Sequence, residues 1–194
     1  MKRHNIIVTG TGSLIGQAII KSLKQSDLTE KIRIVGCDYF HNTIGSLWCD
    51  KNYILPDILE IENKSDWKKA IFEIIKKEQA SVLFIGVDFE LIPFALLRDE
   101  IEKNTECKIV VSNNQVLEIG NDKYLTYEFL KNNNLNYPET WLACEVSKAE
   151  IEYPCILKPR IGARSKGVYV IKDKDDLMNK ITKSSNVIIQ QLIG

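Results

Sequence analysis

The first half of the chain alternates between continuous apolar runs and segments with apolar residues at helical spacing. Ile6, Ile7 and Val8 sit inside Asn5 to Thr9 and predict a short buried strand. Leu14, Ile15, Ala18, Ile19 and Leu23 follow at the spacing of one helix face. Ile32 to Gly36 predicts a second strand, ending at Cys37-Asp38. Ser65 can cap a helix whose face is Trp67, Ala70, Ile71, Ile74 and Ile75. Ser81 to Gly86 predicts another strand, Leu91 to Leu97 opens another helix, and Ile109 to Val111 predicts the last strand of the series. Strands that are apolar throughout and alternate with helices imply a parallel sheet covered on both faces. Residues 1–113 are therefore expected to form a small Rossmann-like, doubly wound α/β domain.

Beyond residue 113 the rhythm changes. Asn121 is expected to cap a helix from Asp122 to Lys131, stopped by Asn132-Asn133-Asn134. Short strands are expected at Thr140 to Ala143, Cys155 to Lys158, Val168 to Ile171 and Val187 to Gln190, with a helix from Asp175 to Thr182. Pro138, Pro154 and Pro159 suit strand edges and turns. Residues 114–194 thus read as a small α+β piece. The apolar run at the end of the chain reads either as a docked terminal strand or as an interior strand of a longer protein.

Composition narrows the function classes. The 194 residues are 44% hydrophobic and 27% charged, which excludes disorder of the chain as a whole. Lys plus Arg equals Asp plus Glu at 26 each, so a nucleic-acid partner is not expected. Cys37, Cys49, Cys107, Cys144 and Cys155 are odd in number and form no CxxC, and His4 and His41 are the only histidines. Reduced thiols fit better than a zinc site or a disulfide framework. No apolar run reaches signal-peptide or membrane-span length, so a cytoplasmic protein with no membrane partner is expected.

Against this balanced background four constellations could carry chemistry. Gly10-x-Gly12-x-x-x-Gly16 lies between strand and helix, with Asp38 ending the next strand. It reads either as a nucleotide-binding turn or as a tight turn without nucleotide, since its spacing is one residue longer than GxGxxG. A dehydrogenase reading would add Tyr127 and Lys131 as an acid/base pair, although residues four apart on any helix share a face. Asp88 and Glu90 follow an apolar strand, where carboxylates could orient an amine substrate or serve a helix N-terminus. Lys123 falls in the first turn of its helix, which makes more sense if an anion shares the site. Lys158, Arg160, Gly162, Arg164, Ser165, Lys166 and Gly167 form a basic glycine loop between two strands. Four cations in so short a loop repel one another without an anion, which points to phosphate binding.

These segments, in this order, resemble the ATP-grasp superfamily, and in particular its branch of carbamoyl phosphate synthase large subunits and related carboxylate–amine ligases. The likeness rests on Gly10-Thr-Gly12 with Ile15-Gly16-Gln17-Ala18, Asp50-Lys51-x-Tyr53-x-x-Pro56, Val87-Asp88-x-Glu90-Leu91, Asn121-Asp122-Lys123-Tyr124-x-Thr126, Ile156-Leu157-Lys158-Pro159 with the glycine loop, and Gln190-Gln191-Leu192-Ile193-Gly194. It implies a pre-ATP-grasp domain over residues 1–113, then the start of an ATP-grasp domain with its lid. Lys123 and Lys158 would contact ATP phosphates, and residues 162–167 would form the lid loop. Gln190, where the family often carries Glu, and the backbone of Leu192 would face adenine. Gly10, Gly12, Asp88 and Glu90 would lie on the substrate side. The family phosphorylates a carboxylate with ATP, and an amine then displaces phosphate. The metal ligands for Mg2+ are expected downstream of Gly194, so the chain reads as the front portion of a ligase, inactive alone. The oligomeric state stays open, with a homodimer compatible. An NAD(P)-dependent Rossmann oxidoreductase and a non-catalytic nucleotide-binding module are the alternatives.

Overall fold

The structure, a computed structural model, describes residues 3–147, 149–162, 166–181 and 186–193. Two compact units follow one another, Met1–Asn114 and Gln115–Gly194.

The first unit contains β1 (His4–Thr9), α1 (Leu14–Gln25), β2 (Ile32–Asp38), β3 (Lys51–Ile54), α2 (Lys64–Glu78), β4 (Ala80–Phe84), α3 (Leu91–Asn104) and β5 (Lys108–Val110). The strands form a parallel sheet in the order β3-β2-β1-β4-β5. Successive strand residues face opposite sides, so a run such as Ile6-Ile7-Val8 feeds two cores at once. Ile7, Val35 and Leu83 pack under Trp67, Ile71 and Ile75 of α2 and Phe94 and Ile101 of α3. Ile6, Val8 and Ile34 pack on the other side with Ile20 of α1. Trp67 meets Phe94 edge-on, ring centroids 4.9 Å apart. Each fully buried aliphatic contributes about 1.5–3 kcal/mol of transfer free energy, which explains why apolar runs alone locate these strands.

Several local expectations are corrected. The α1 face is only partly the one expected: Ile19 and Leu23 pack against the core. Leu14 and Ile15 are exposed, and Gly16 and Ile20 carry the buried stripe. Ser65 does not cap α2, which starts one residue earlier at Lys64 after Asn63. The edge strand β3 was not visible in the pattern, because three of its four residues are exposed.

The second unit contains α4 (Asn114–Asn121), α5 (Lys123–Asn132), β6 (Thr140–Leu142), β7 (Cys155–Pro159), β8 (Tyr169–Ile171), α6 (Lys174–Lys180) and β9 (Val187–Gln191). Asn121 ends α4 rather than capping α5, and Asp122 is the cap, its carboxylate accepting from the backbone of Tyr124 and Leu125. The strands form an antiparallel sheet in the order β6-β9-β7-β8. Its inner face packs Cys155, Leu157, Ile171 and Ile189 around Leu177 of α6. Alternation sends Ile156, Lys158, Gln190 and Thr140 to the opposite face. The molecule is thus mixed α/β, a parallel five-stranded sheet and an antiparallel four-stranded one among the described residues.

Candidate functional site

In the second unit, strand register brings the sequence-predicted residues Lys158 and Gln190 together. Gln190 pairs with Ile156, two residues before Lys158 on the same strand face. The Lys158 ammonium donates to Gln190 Oε1 at 2.6 Å, and Gln190 Nε2 donates to Thr140 Oγ1 at 2.8 Å. Lys123 opens α5, and its ammonium donates to the carbonyls of Arg160 at 3.2 Å and Gly162 at 3.3 Å. Burial holds Lys158 below its ordinary pKa, and the nearby positive Lys123 lowers it further. Among the described residues neither ammonium is paired with a carboxylate. Two converging cations of this kind favour an anion between them.

Arg160 is different. Its guanidinium makes a bidentate pair with Asp122, Nη2 donating to Oδ2 at 2.6 Å and Nε to Oδ1 at 3.1 Å. It also stacks over Tyr124, 5.3 Å from the ring centroid. Burial alone would raise the Asp122 pKa; the Arg160 hydrogen bond and two backbone N–H groups outweigh it and hold the carboxyl below its ordinary value. The reading of four uncompensated loop cations is therefore corrected: Arg160 brings its own counter-ion. Arg164 and Ser165 lie outside the described residues. A Cβ on Gly162 would make only ordinary contact, 3.6 Å from Pro159 Cβ, and Gly167 takes φ +75°, a left-handed backbone that favours glycine. Lys166 and Leu192 are exposed.

In the first unit, the glycine turn closes on itself. Gly10 has φ +59°, and a Cβ there would lie 2.6 Å from Val87 Cγ1. A Cβ on Gly16 would come within 2.1 Å of the Gly10 carbonyl. These glycines permit close backbone packing at the carboxyl ends of β1 and β4. Asp38, where a ribose-binding acid would sit, accepts from the Gly12 N–H at 2.7 Å and from Thr11 Oγ1 at 3.2 Å. Its oxygens thus serve the turn.

Asp88 and Glu90 part ways. Asp88 is exposed and accepts from the backbone N–H of Phe89 at 2.9 Å. It does not cap α3 through its side chain. Glu90 is fully buried and accepts from Thr9, Tyr39 and, at 3.3 Å, Trp67 Nε1. Burial raises its pKa, although all three donors pull it down. The expectation of Glu90 as a substrate contact is corrected: its oxygens are occupied inside the core. A carboxylate two positions from an exposed one gave no sequence signal of this difference.

The Tyr127–Lys131 pair is real as a contact, Lys131 Nζ donating to the phenol oxygen at 2.8 Å. Tyr127, however, is 7% exposed and packs edge-on against Tyr137 at 5.3 Å. A tyrosine acid must reach its substrate, and this one is covered. Among the described residues no three His, Cys, Asp or Glu side chains converge as a metal site. All five cysteines are free.

A parallel five-stranded sheet followed by an antiparallel four-stranded sheet defines a mixed α/β class of protein. Residues 120–194 match the ATP-grasp domain family. A carbamoyl-phosphate synthase of Methanobrevibacter smithii is 26% identical over 146 residues, 73% of this chain and 40% of that protein. The N5-carboxyaminoimidazole ribonucleotide synthetase of Thermotoga maritima superposes over 100% of this chain and 46% of that one, with TM-score 0.62 and 22% identity. The N5-carboxyaminoimidazole synthetase of Staphylococcus aureus, complexed with ADP, covers 100% of this chain and 48% of that one at TM-score 0.73 and 17% identity. The chain thus spans about half the length of the relatives it matches.

Proposed function

We propose that this chain supplies the pre-ATP-grasp domain and the lid of an ATP-dependent carboxylate–amine ligase. The observation that carries the reading is the pair of unneutralised ammoniums, Lys158 and Lys123, at the foot of the glycine loop. In this reading both cations bind ATP phosphate oxygens, and residues 162–167, Arg164, Ser165 and Lys166 among them, close over the phosphates. Gln190 and the Leu192 backbone sit on the adenine side. The carboxyl ends of the parallel strands, with Gly10, Gly12 and exposed Asp88, are the substrate side. The family match over residues 120–194 and the ADP complex of the Staphylococcus aureus relative support it.

The reaction would run in two steps. A carboxylate oxygen attacks the γ-phosphorus of ATP, giving an acyl phosphate and ADP. An amine then attacks the acyl carbon, forming the amide and releasing phosphate. The lysines' part is to hold phosphate oxygens and offset their charge as it shifts. Magnesium would shield the same oxygens, but the described residues do not make up a ligand set for it, so no step is assigned to it. Because the chain spans under half of these relatives, we expect it to bind nucleotide without turning it over. Homodimerisation and a cytoplasmic location belong to the same proposal; no helix among the described residues is long and apolar enough to cross a membrane.

Parallel fluorescence titrations with an ATP analogue and with NADH and NADPH test this reading. Saturable binding of the ATP analogue alone is the expected result. Binding of NADH or NADPH that is lost on Gly12→Val would instead favour the oxidoreductase.

A further inference from the structure

Thr140 and Gln190 are linked by hydrogen bonds whose direction is determined. Thr140 is 2% exposed and lies on β6 directly opposite Gln190 of β9. Its hydroxyl hydrogen is committed, since Oγ1 donates at 2.9 Å to the Pro138 carbonyl, which can only accept. Thr140 Oγ1 can then only accept from its other neighbour, and Gln190 Nε2 donates to it at 2.8 Å. With its amino end fixed on Thr140, the Gln190 amide must turn its carbonyl oxygen the other way. That oxygen meets the Lys158 ammonium at 2.6 Å. The reverse orientation would set two donors against each other at Lys158 and two acceptors with no hydrogen at Thr140.

We propose that Thr140 and Gln190 are positioning residues for Lys158: the threonine sets the glutamine amide, and the amide carbonyl fixes the ammonium without neutralising it. The proposal rests on the reading of Lys158 as a phosphate ligand and deepens it. A glutamate at position 190 would give the ammonium a carboxylate partner. The lysine would be held as firmly, but part of its attraction for an external anion would be spent on that internal one. A neutral carbonyl keeps the geometry and leaves the full charge available. Among the described residues, the charged group on a neighbouring element that acts on Lys158 is Lys123, at the start of α5, which repels it.

The test follows the Lys158 side chain itself. The full chain, carrying 13C-labelled lysine, is titrated by NMR as the parent and as Gln190→Glu, Thr140→Val and Thr140→Ser, with backbone amide spectra verifying each fold. Lys158→Ala assigns the resonance. Gln190→Glu is expected to raise the Lys158 pKa above the parent's and to weaken inorganic tripolyphosphate binding about tenfold. Thr140→Val is expected to lower the Lys158 pKa, because a freed amide no longer holds its acceptor toward the ammonium. Thr140→Ser, which keeps the hydroxyl, is expected to restore the parent value. An unchanged Lys158 titration in Gln190→Glu overturns the proposal, as does a Thr140→Val that titrates like Thr140→Ser. Should Thr140→Val fail to fold, Gln190→Glu decides alone. Tripolyphosphate binding that survives Lys158→Ala would remove the phosphate reading while leaving the titration result to judge the positioning role.

Discussion

At the scale of single residues, the second unit divides its cations by partner. Arg160 is matched by Asp122, and Lys158 by a neutral amide. The sequence offered four equivalent positive charges because spacing carries no information about which carboxylate folds back on which. The sequence places Asn121 as the cap of a helix beginning at Asp122, and either residue type suits that position. The choice fell to Asp122 because it also meets Arg160. This has a consequence for acid stability. The Asp122 carboxyl is held below its ordinary value in the folded chain, so its stabilisation is complete above the unfolded-state pKa of about 3.9. It is lost as pH falls through the lower, folded value. Asp122→Asn keeps a capping side chain and removes the charge pair. It should cost about 1–2 kcal/mol near neutral pH, toward the low end because Arg160 is 26% exposed. Urea unfolding should give a stability difference that shrinks toward zero as pH falls below about 4. A difference that does not vary with pH would mean the pair is not responsible.

At the scale of elements, the well-buried helices and strands of the first unit were readable because burial imposes period. Helix α2 bears this out, with Trp67, Ile71, Ile74 and Ile75 all in the core as their spacing requires. Elements that bury little were unreadable for the same reason. β3 has no buried residue, and neither has α4. Helix α1 misled for another reason. Its conspicuous Leu14 and Ile15 are exposed, and the contact with the sheet is made where Gly16 lets the backbone approach. Two substitutions test these assignments by chemical denaturation. Trp67→Ala, at 1% exposure, should cost about 3–5 kcal/mol, reading as a lower midpoint at unchanged slope. Gly16→Ala would drive a methyl to 2.1 Å from the Gly10 carbonyl, and should cost about 1–3 kcal/mol although alanine is the better helix former. A stabilised Gly16→Ala would mean that the turn is looser than described. Glu90 belongs here too: it ties β1, α2 and the segment after β2 through Thr9, Trp67 and Tyr39, a structural role that a motif reading assigns to substrate.

At the scale of the whole molecule, a chain of zero net charge carries an uncompensated positive pair at one loop. That local imbalance, more than any single motif, is what the sequence could announce in advance. The partner of each cation was the part it could not. The account stands or falls on Lys158. Calorimetric titration of a non-hydrolysable ATP analogue into the parent, Lys158→Ala and Lys166→Ala, each first confirmed folded by its thermal melt, measures this directly. A charge-assisted hydrogen bond to phosphate is worth about 1.5–3 kcal/mol, so Lys158→Ala should weaken binding about ten- to a hundred-fold. Lys166, exposed and screened by solvent, should matter much less. A folded Lys158→Ala that binds as tightly as the parent would contradict the account.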